Sequence, residues 1–80
     1  MMAVSNIINM GDDMNEYAAY LRKRRLQLGY SQYKLAAKIG ISQPFLNQIE
    51  MQTKKPSIDV FFALCEALDI EVKLVEKSNE

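Results

Sequence analysis

The chain has 80 residues, ten basic and ten acidic side chains, 49% apolar residues, three Gly, two Pro, one Cys and no His. That length and mixture describe one small globular domain, not a disordered or collagen-like chain. A single Cys excludes an internal disulfide, and without His there is neither a His/Cys metal site nor the commonest general base, so we expect no cofactor and no enzyme.

Residues 1–11 show no clear period. Within an arm spanning 1–12 they read as a frayed segment or a short edge strand, and they lack the basic start and long apolar run of a secretion signal. Asp13 and Glu16 have the spacing of a helix cap and its acidic third residue. Tyr17, Leu21 and Leu28 then recur at helical intervals up to Gly29, which predicts a first helix over 14–28. Ser31 caps a second helix with Leu35, Ala36 and Ile39 on one face, and Gly40 suits a left-handed closing residue. Ser42 caps a third helix over 43–51. Pro44 lies in its first turn, where a missing N–H does no harm, and Leu46 and Ile49 face inward.

Residues 52–55 form a polar loop. Ser57 caps a fourth helix, whose Ile58, Phe61, Phe62, Leu64, Cys65 and Leu68 make a broad apolar face, and Asp69 ends it. From 70 to 77 the alternation Glu71-Val72-Lys73-Leu74 favours a strand, although Ile70, Leu74 and Val75 also fit a helix face. The expected fold is therefore all-α. Four helices occupy 13–69, and a short C-terminal strand lies in the tail 70–80. No apolar run approaches the ~20 residues of a membrane span, and a reducing cytoplasm is the expected compartment.

The zero net charge is unevenly distributed. Residues 1–21 hold three acids and no base, residues 22–55 hold eight bases and one acid, and residues 56–80 hold six acids and two bases. A block at +7 suits a polyanion, though charged helix surfaces are also simply solvated. Inside that block, two short helices meet at Gly40-Ile41-Ser42, with small Ala36 and the apolar Leu35, Ile39, Ile41, Leu46 and Ile49 filling the wedge between them.

The phrases Arg25-Leu-Gln-Leu-Gly29, Ser31-Gln32, Leu35-Ala36, Ile39-Gly-Ile-Ser-Gln-Pro44, Leu46-Asn-Gln-Ile-Glu50 and Lys55-Pro-Ser57 run from Arg22 to Leu68. In them the chain resembles the lambda-repressor-like (Cro/C1, xenobiotic-response-element) helix-turn-helix repressors. It departs at Met51-Gln52, where the family often has Asn or Glu followed by Gly. The resemblance implies that the third helix enters the major groove of double-stranded DNA, with Gln43, Pro44, Asn47 and Gln48 facing the bases. The alternative for these polar residues is plain surface cover, and Asn47 also suits a phosphate or its own helix. The resemblance implies phosphate contacts from Gln32, and Ser42, Thr53, Lys54 and Lys55 are placed to add others. It also implies a structural ion pair between Arg25 and Glu50, the one acid of the basic block.

Such modules pair on two-fold operators, and the C-terminal strand is the natural device for a homodimer, through Val72, Leu74 and Val75. Relatives with such a strand include antitoxin subunits of kinase-type toxin–antitoxin pairs, so a toxin protein is a second expected partner. A protein-contact adaptor without DNA is a third reading, which the basic block opposes. Cys65 is expected to be a small buried hydrophobe, and Tyr17, Phe61 and Phe62 to be core. Phe45 fits either packing or a thymine methyl. Packing or interface roles are expected for Tyr20, Tyr30 and Tyr33 ahead of base stacking.

Overall fold

Three serines start three of the helices. In the computed structural model, which describes residues 7–9 and 17–73, the elements are β1 (Ile7–Asn9), α1 (Tyr17–Gln27), α2 (Gln32–Ile39), α3 (Gln43–Glu50), α4 (Ile58–Ala67) and β2 (Glu71–Lys73). The hydroxyls of Ser31, Ser42 and Ser57 accept from the N–H groups of Lys34, Phe45 and Val60 at 3.0, 3.1 and 3.1 Å, ahead of α2, α3 and α4. Each bond satisfies a first-turn donor that the helix itself leaves open, worth about 0.5–2 kcal/mol. The expected cap for α1, Asp13 to Glu16, lies outside the described residues.

All four helices close with one residue in the left-handed region. These are Gly29 and Gly40 at φ 81°, Gln52 at 64° and Asp69 at 57°. The next residue in each case, Tyr30, Ile41, Thr53 or Ile70, donates its N–H to the carbonyl five positions back, at 3.1, 3.0, 3.0 and 2.8 Å. Glycine takes this conformation freely, whereas an L side chain costs about 1–2 kcal/mol there. Gln52 is the position where the family often has Gly, and it carries that strain. Replacing Gln52 by Gly should stabilise the domain by about 1 kcal/mol or somewhat less, because glycine's greater unfolded-state freedom offsets part of the gain. A thermal melt should show a rise of roughly 4–8 °C per kcal/mol. Asp69→Gly should gain less, since a short polar side chain tolerates this region better. An unchanged melt for Gln52→Gly would show that the Gln52 side chain already offsets its strain.

The helices converge on one apolar core. Leu46 and Ile49 of α3, Leu64 of α4 and Leu68 just beyond it are fully buried, joined by Leu21, Leu35, Ala36, Phe61, Cys65 and Ile70. Tyr17 meets Phe61 edge to face at 5.5 Å. Phe45, Tyr20, Tyr30, Ile39 and Ile41 pack partly buried against the same cluster.

Two expectations about burial need correction. Phe62 is 47% exposed and Ile58 59% exposed, because successive helical residues are about 100° apart and the core covers only the stripe through Phe61, Leu64, Cys65 and Leu68. Leu28 is 42% exposed, since it follows the last turn of α1 and leads into the Gly29 bend. Tyr33 stands exposed on α2, unlike the packed Tyr20 and Tyr30.

Burial pushes the Cys65 thiol up to about 11. In the folded protein it should therefore stay unmodified by a thiol-reactive disulfide reagent at pH 8 and react only on denaturation. Immediate stoichiometric reaction under native conditions would contradict that burial.

The tail strand is present at Glu71–Lys73, and residues 74–80, including Leu74 and Val75, lie outside the described residues. Its partner is β1 of the same chain, which lies in the arm that the sequence reads as a frayed segment or a short edge strand. The two run parallel, with Ile7 opposite Glu71, Ile8 opposite Val72 and Asn9 opposite Lys73. A parallel pair needs a long crossover, which the four helices supply. Val72 is half-buried against the core. No described helix is long and apolar enough to cross a membrane.

Candidate nucleic-acid interface

The bihelical unit of α2 and α3 holds most of the polar residues singled out above. α3 is eight residues long, about 12 Å at 1.5 Å per residue, a length that fits along a major groove. Its buried face is Leu46 and Ile49. On the other side Pro44 and Asn47 are exposed, with Gln43 and Gln48 half-buried at the margin.

Beneath this surface lies a buried ion pair. Arg25 Nε donates to Glu50 Oε2 at 2.7 Å and Arg25 Nη2 to Glu50 Oε1 at 3.0 Å, with both residues at least nine-tenths buried. Arg25 Nη1 donates to the Tyr30 carbonyl at 2.9 Å. The pair thus joins the end of α1, the bend after it and the end of α3, and its bidentate geometry is the strong form of this contact.

The network continues outward. Gln32 Nε2 donates to Glu50 Oε1 at 3.0 Å and to Asn47 Oδ1 at 3.1 Å, while Gln43 Nε2 donates to Gln32 Oε1 at 2.7 Å. Gln32, Gln43 and Asn47 are therefore one assembly, and both amide hydrogens of Gln32 are engaged inside the protein. The group that Gln32 still offers a phosphate is its backbone N–H, in the first turn of α2.

The other phosphate candidates divide in the same way. The Ser42 hydroxyl accepts from Phe45 and keeps its own proton to donate. Thr53 donates its hydroxyl to the Gln48 carbonyl at 3.3 Å, and the Thr53 and Lys54 N–H groups donate to that same carbonyl at 3.0 and 3.3 Å. Thr53 therefore ties down the loop after α3 instead of presenting a free hydroxyl proton. Lys54 and Lys55 extend exposed from that loop.

Two bases of the central block are structural. Arg25 is in the ion pair. Arg24, which nothing local in the sequence set apart, donates from Nε to the Leu68 carbonyl at 2.9 Å and lies 3.9 Å from the Asp69 carboxylate. It holds the end of α1 against the end of α4, a partner 44 residues away. Arg22, Lys23, Lys34, Lys38, Lys54 and Lys55 remain exposed as a positive field. Among the described residues no group of His, Cys, Asp and Glu side chains could hold a metal ion.

Comparison with known families decides what this arrangement belongs to. A family model described as helix-turn-helix matches residues 21–75. This chain is a member of the Cro/C1-type helix-turn-helix family. The match begins within α1 and includes β2, and the two short helices that meet at Gly40-Ile41-Ser42, α2 and α3, lie inside it.

The helix-turn-helix chain is 32% identical over 57 residues to an uncharacterized HTH-type transcriptional regulator of Mycobacterium tuberculosis, a stretch covering 71% of this chain and 41% of that protein. It is 33% identical over 55 residues to antitoxin HipB of Escherichia coli O6:H1, covering 69% of this chain and 58% of the antitoxin. The chain thus spans about half the length of the curated relatives it matches. No solved structure matches.

Proposed function

We propose that this chain is a sequence-specific double-stranded DNA-binding transcriptional regulator, a repressor that acts in the cytoplasm as a homodimer on a palindromic operator. The observation that carries the reading is the outer face of α3, where Gln43, Pro44, Asn47 and Gln48 stand together above a buried ion pair. Gln and Asn can meet a base edge with donor and acceptor at once, which is how sequence is read in the major groove. The α2 N-terminus at Gln32, the Ser42 hydroxyl, and Lys54 and Lys55 flank this face and hold phosphates, with Thr53 shaping the loop that carries the lysines. The family membership and the mycobacterial regulator support the same assignment.

The dimer forms along the β1–β2 ribbon. One edge of β2 is taken by β1, and no other described strand lies beside it. A second ribbon adding to that edge brings two recognition helices onto one duplex, with Val72 anchoring the ribbon to the core and Leu74 and Val75 assigned to the same interface. Sedimentation at tens of micromolar should return a dimer, and a monomer there refutes this part of the proposal.

Fluorescence anisotropy on DNA from upstream of the protein's own gene, against scrambled DNA, tests the regulator reading. Tight binding to the first duplex, steeply weakened by salt and lost in Gln43→Ala, is expected. Equal weak binding to both duplexes counts against it. The likeness to antitoxin HipB favours one further reading, in which the chain also binds a toxin protein and its DNA binding autoregulates the operon. Co-expression with the product of an adjacent gene should then relieve growth inhibition caused by that product alone.

A further inference from the structure

We propose that Glu50 is a specificity-determining residue that never touches DNA: through Gln32 it fixes which hydrogen-bonding atoms Gln43 and Asn47 turn toward the bases. The inference rests on the regulator reading above and deepens it. Its argument is a chain of obligatory polarity. The Arg25 guanidinium can only donate, and an ionised Glu50 carboxylate can only accept. An amide can do either, so a lone Gln or Asn side chain is free to present its carbonyl or its NH2. Glu50 removes that freedom. Its side chain is 1% exposed, and its Oε1 lies 3.0 Å from the Gln32 amide, which must therefore turn its NH2 inward.

The second hydrogen of that NH2 goes to Asn47, so the atom of Asn47 at 3.1 Å is its carbonyl oxygen. Gln32 then shows its own carbonyl to Gln43, so the atom of Gln43 at 2.7 Å is its NH2. Outward, Asn47 is left with an NH2 donor. Gln43 is left with a carbonyl acceptor and one N–H.

These remainders have base preferences. The Gln43 pair of acceptor and donor matches the N6–H and N7 edge of adenine. The Asn47 donor matches guanine, which shows two acceptors in the major groove, and rejects cytosine, which shows an N4 donor. A half-site with adenine facing Gln43 and guanine facing Asn47 follows. Loosening the anchor lets both amides turn over, and discrimination at both positions falls while the fold and the charge contacts persist.

The test selects duplexes with the wild-type protein from a pool carrying 20 randomised base pairs, then measures affinity for every single-base variant of the selected site. Gln43→Ala and Asn47→Ala identify the positions each residue reads, as those where discrimination disappears. Wild type should prefer guanine over cytosine at the Asn47 position by about 10–100-fold, the size of one good base contact. In Gln32→Ala, which leaves Arg25 and Glu50 paired, that ratio and the adenine preference at the Gln43 position should drop to a few-fold. Glu50→Gln, assayed at a temperature where circular dichroism shows it folded, should lose the same two preferences. If Glu50→Gln does not fold, Gln32→Ala decides. A uniform loss of affinity in Gln32→Ala with every base ratio unchanged overturns the proposal, because that is the signature of a phosphate clamp. Cytosine preferred by wild type at the Asn47 position overturns it as well. A pool that yields no enriched sequence refutes the regulator reading itself, which separates that failure from the failure of this inference.

Discussion

Glu50→Ala should lower the unfolding free energy by about 3–5 kcal/mol, the cost of leaving one member of a buried pair without its partner. The cost falls on Arg25. Its guanidinium stays nine-tenths buried, keeps one bond to the Tyr30 carbonyl and loses both bonds to the carboxylate. Gln32 loses an acceptor too. Gln43→Ala removes a half-buried amide whose bond is to another amide near the surface, so its melting temperature should stay close to wild type. Thermal melts of the two variants side by side decide the matter, and equal midpoints would remove Glu50 from its structural role. Replacing both members of the pair by apolar residues of similar volume should cost much less than the single change. The sequence near Glu50 accounts for this contrast only in part. An acid alone in a basic block is visible in the chain, but that it is buried, and that it accepts three hydrogen bonds from Arg25 and Gln32 together, is not.

Leu46→Ala should destabilise by about 2.7–5 kcal/mol, through the lost transfer energy and the cavity left in the centre of the helix-turn-helix unit. Leu46 is fully buried on the core side of α3, next in sequence to the exposed Asn47. At roughly 4–8 °C per kcal/mol for a domain of this size, the midpoint should fall by more than 10 °C. The base preferences of the molecules that remain folded should nevertheless be unchanged, because the Gln32 assembly does not pass through Leu46. Glu50→Ala should disturb both stability and preference, and Leu46→Ala stability alone. Measuring the base-variant panel below the midpoint of each variant tests this. Altered preferences in Leu46→Ala would mean that α3 shifts as a body when the core is opened.

Neighbouring residues were enough to determine where α2, α3 and α4 begin and, to within a residue or two, where the described helices end, while the expected start of the first helix lies outside the described residues. The serine caps and the left-handed closing residues act through bonds that span three to five positions, so their partners are always at hand in the chain. The buried stripes of α2 and α3 were legible for the same reason, since a helical period needs no knowledge of the rest of the fold. The helix-turn-helix unit followed from those two local facts, and the family match bears it out. The strand at Glu71–Lys73 was visible as an alternation.

Tertiary structure alone decided which charges and amides are free. Arg24 and Arg22 look alike in the chain, yet one caps α4 from across the core and the other is exposed. The resemblance assigns Gln32 to a phosphate, and packing adds what no local pattern shows, bringing its side chain within bonding distance of Glu50, Asn47 and Gln43, residues 11 to 18 positions away. Phe62 and Phe61 are adjacent and both aromatic, and only the arc covered by the neighbouring helices separates the exposed one from the buried one. The partner of β2 is β1, more than 60 positions earlier. Periodicity and capping are properties of a segment. Burial, ion pairing and strand pairing belong to surfaces that meet only after the helices have packed, and no short stretch of chain specifies its partner across that distance.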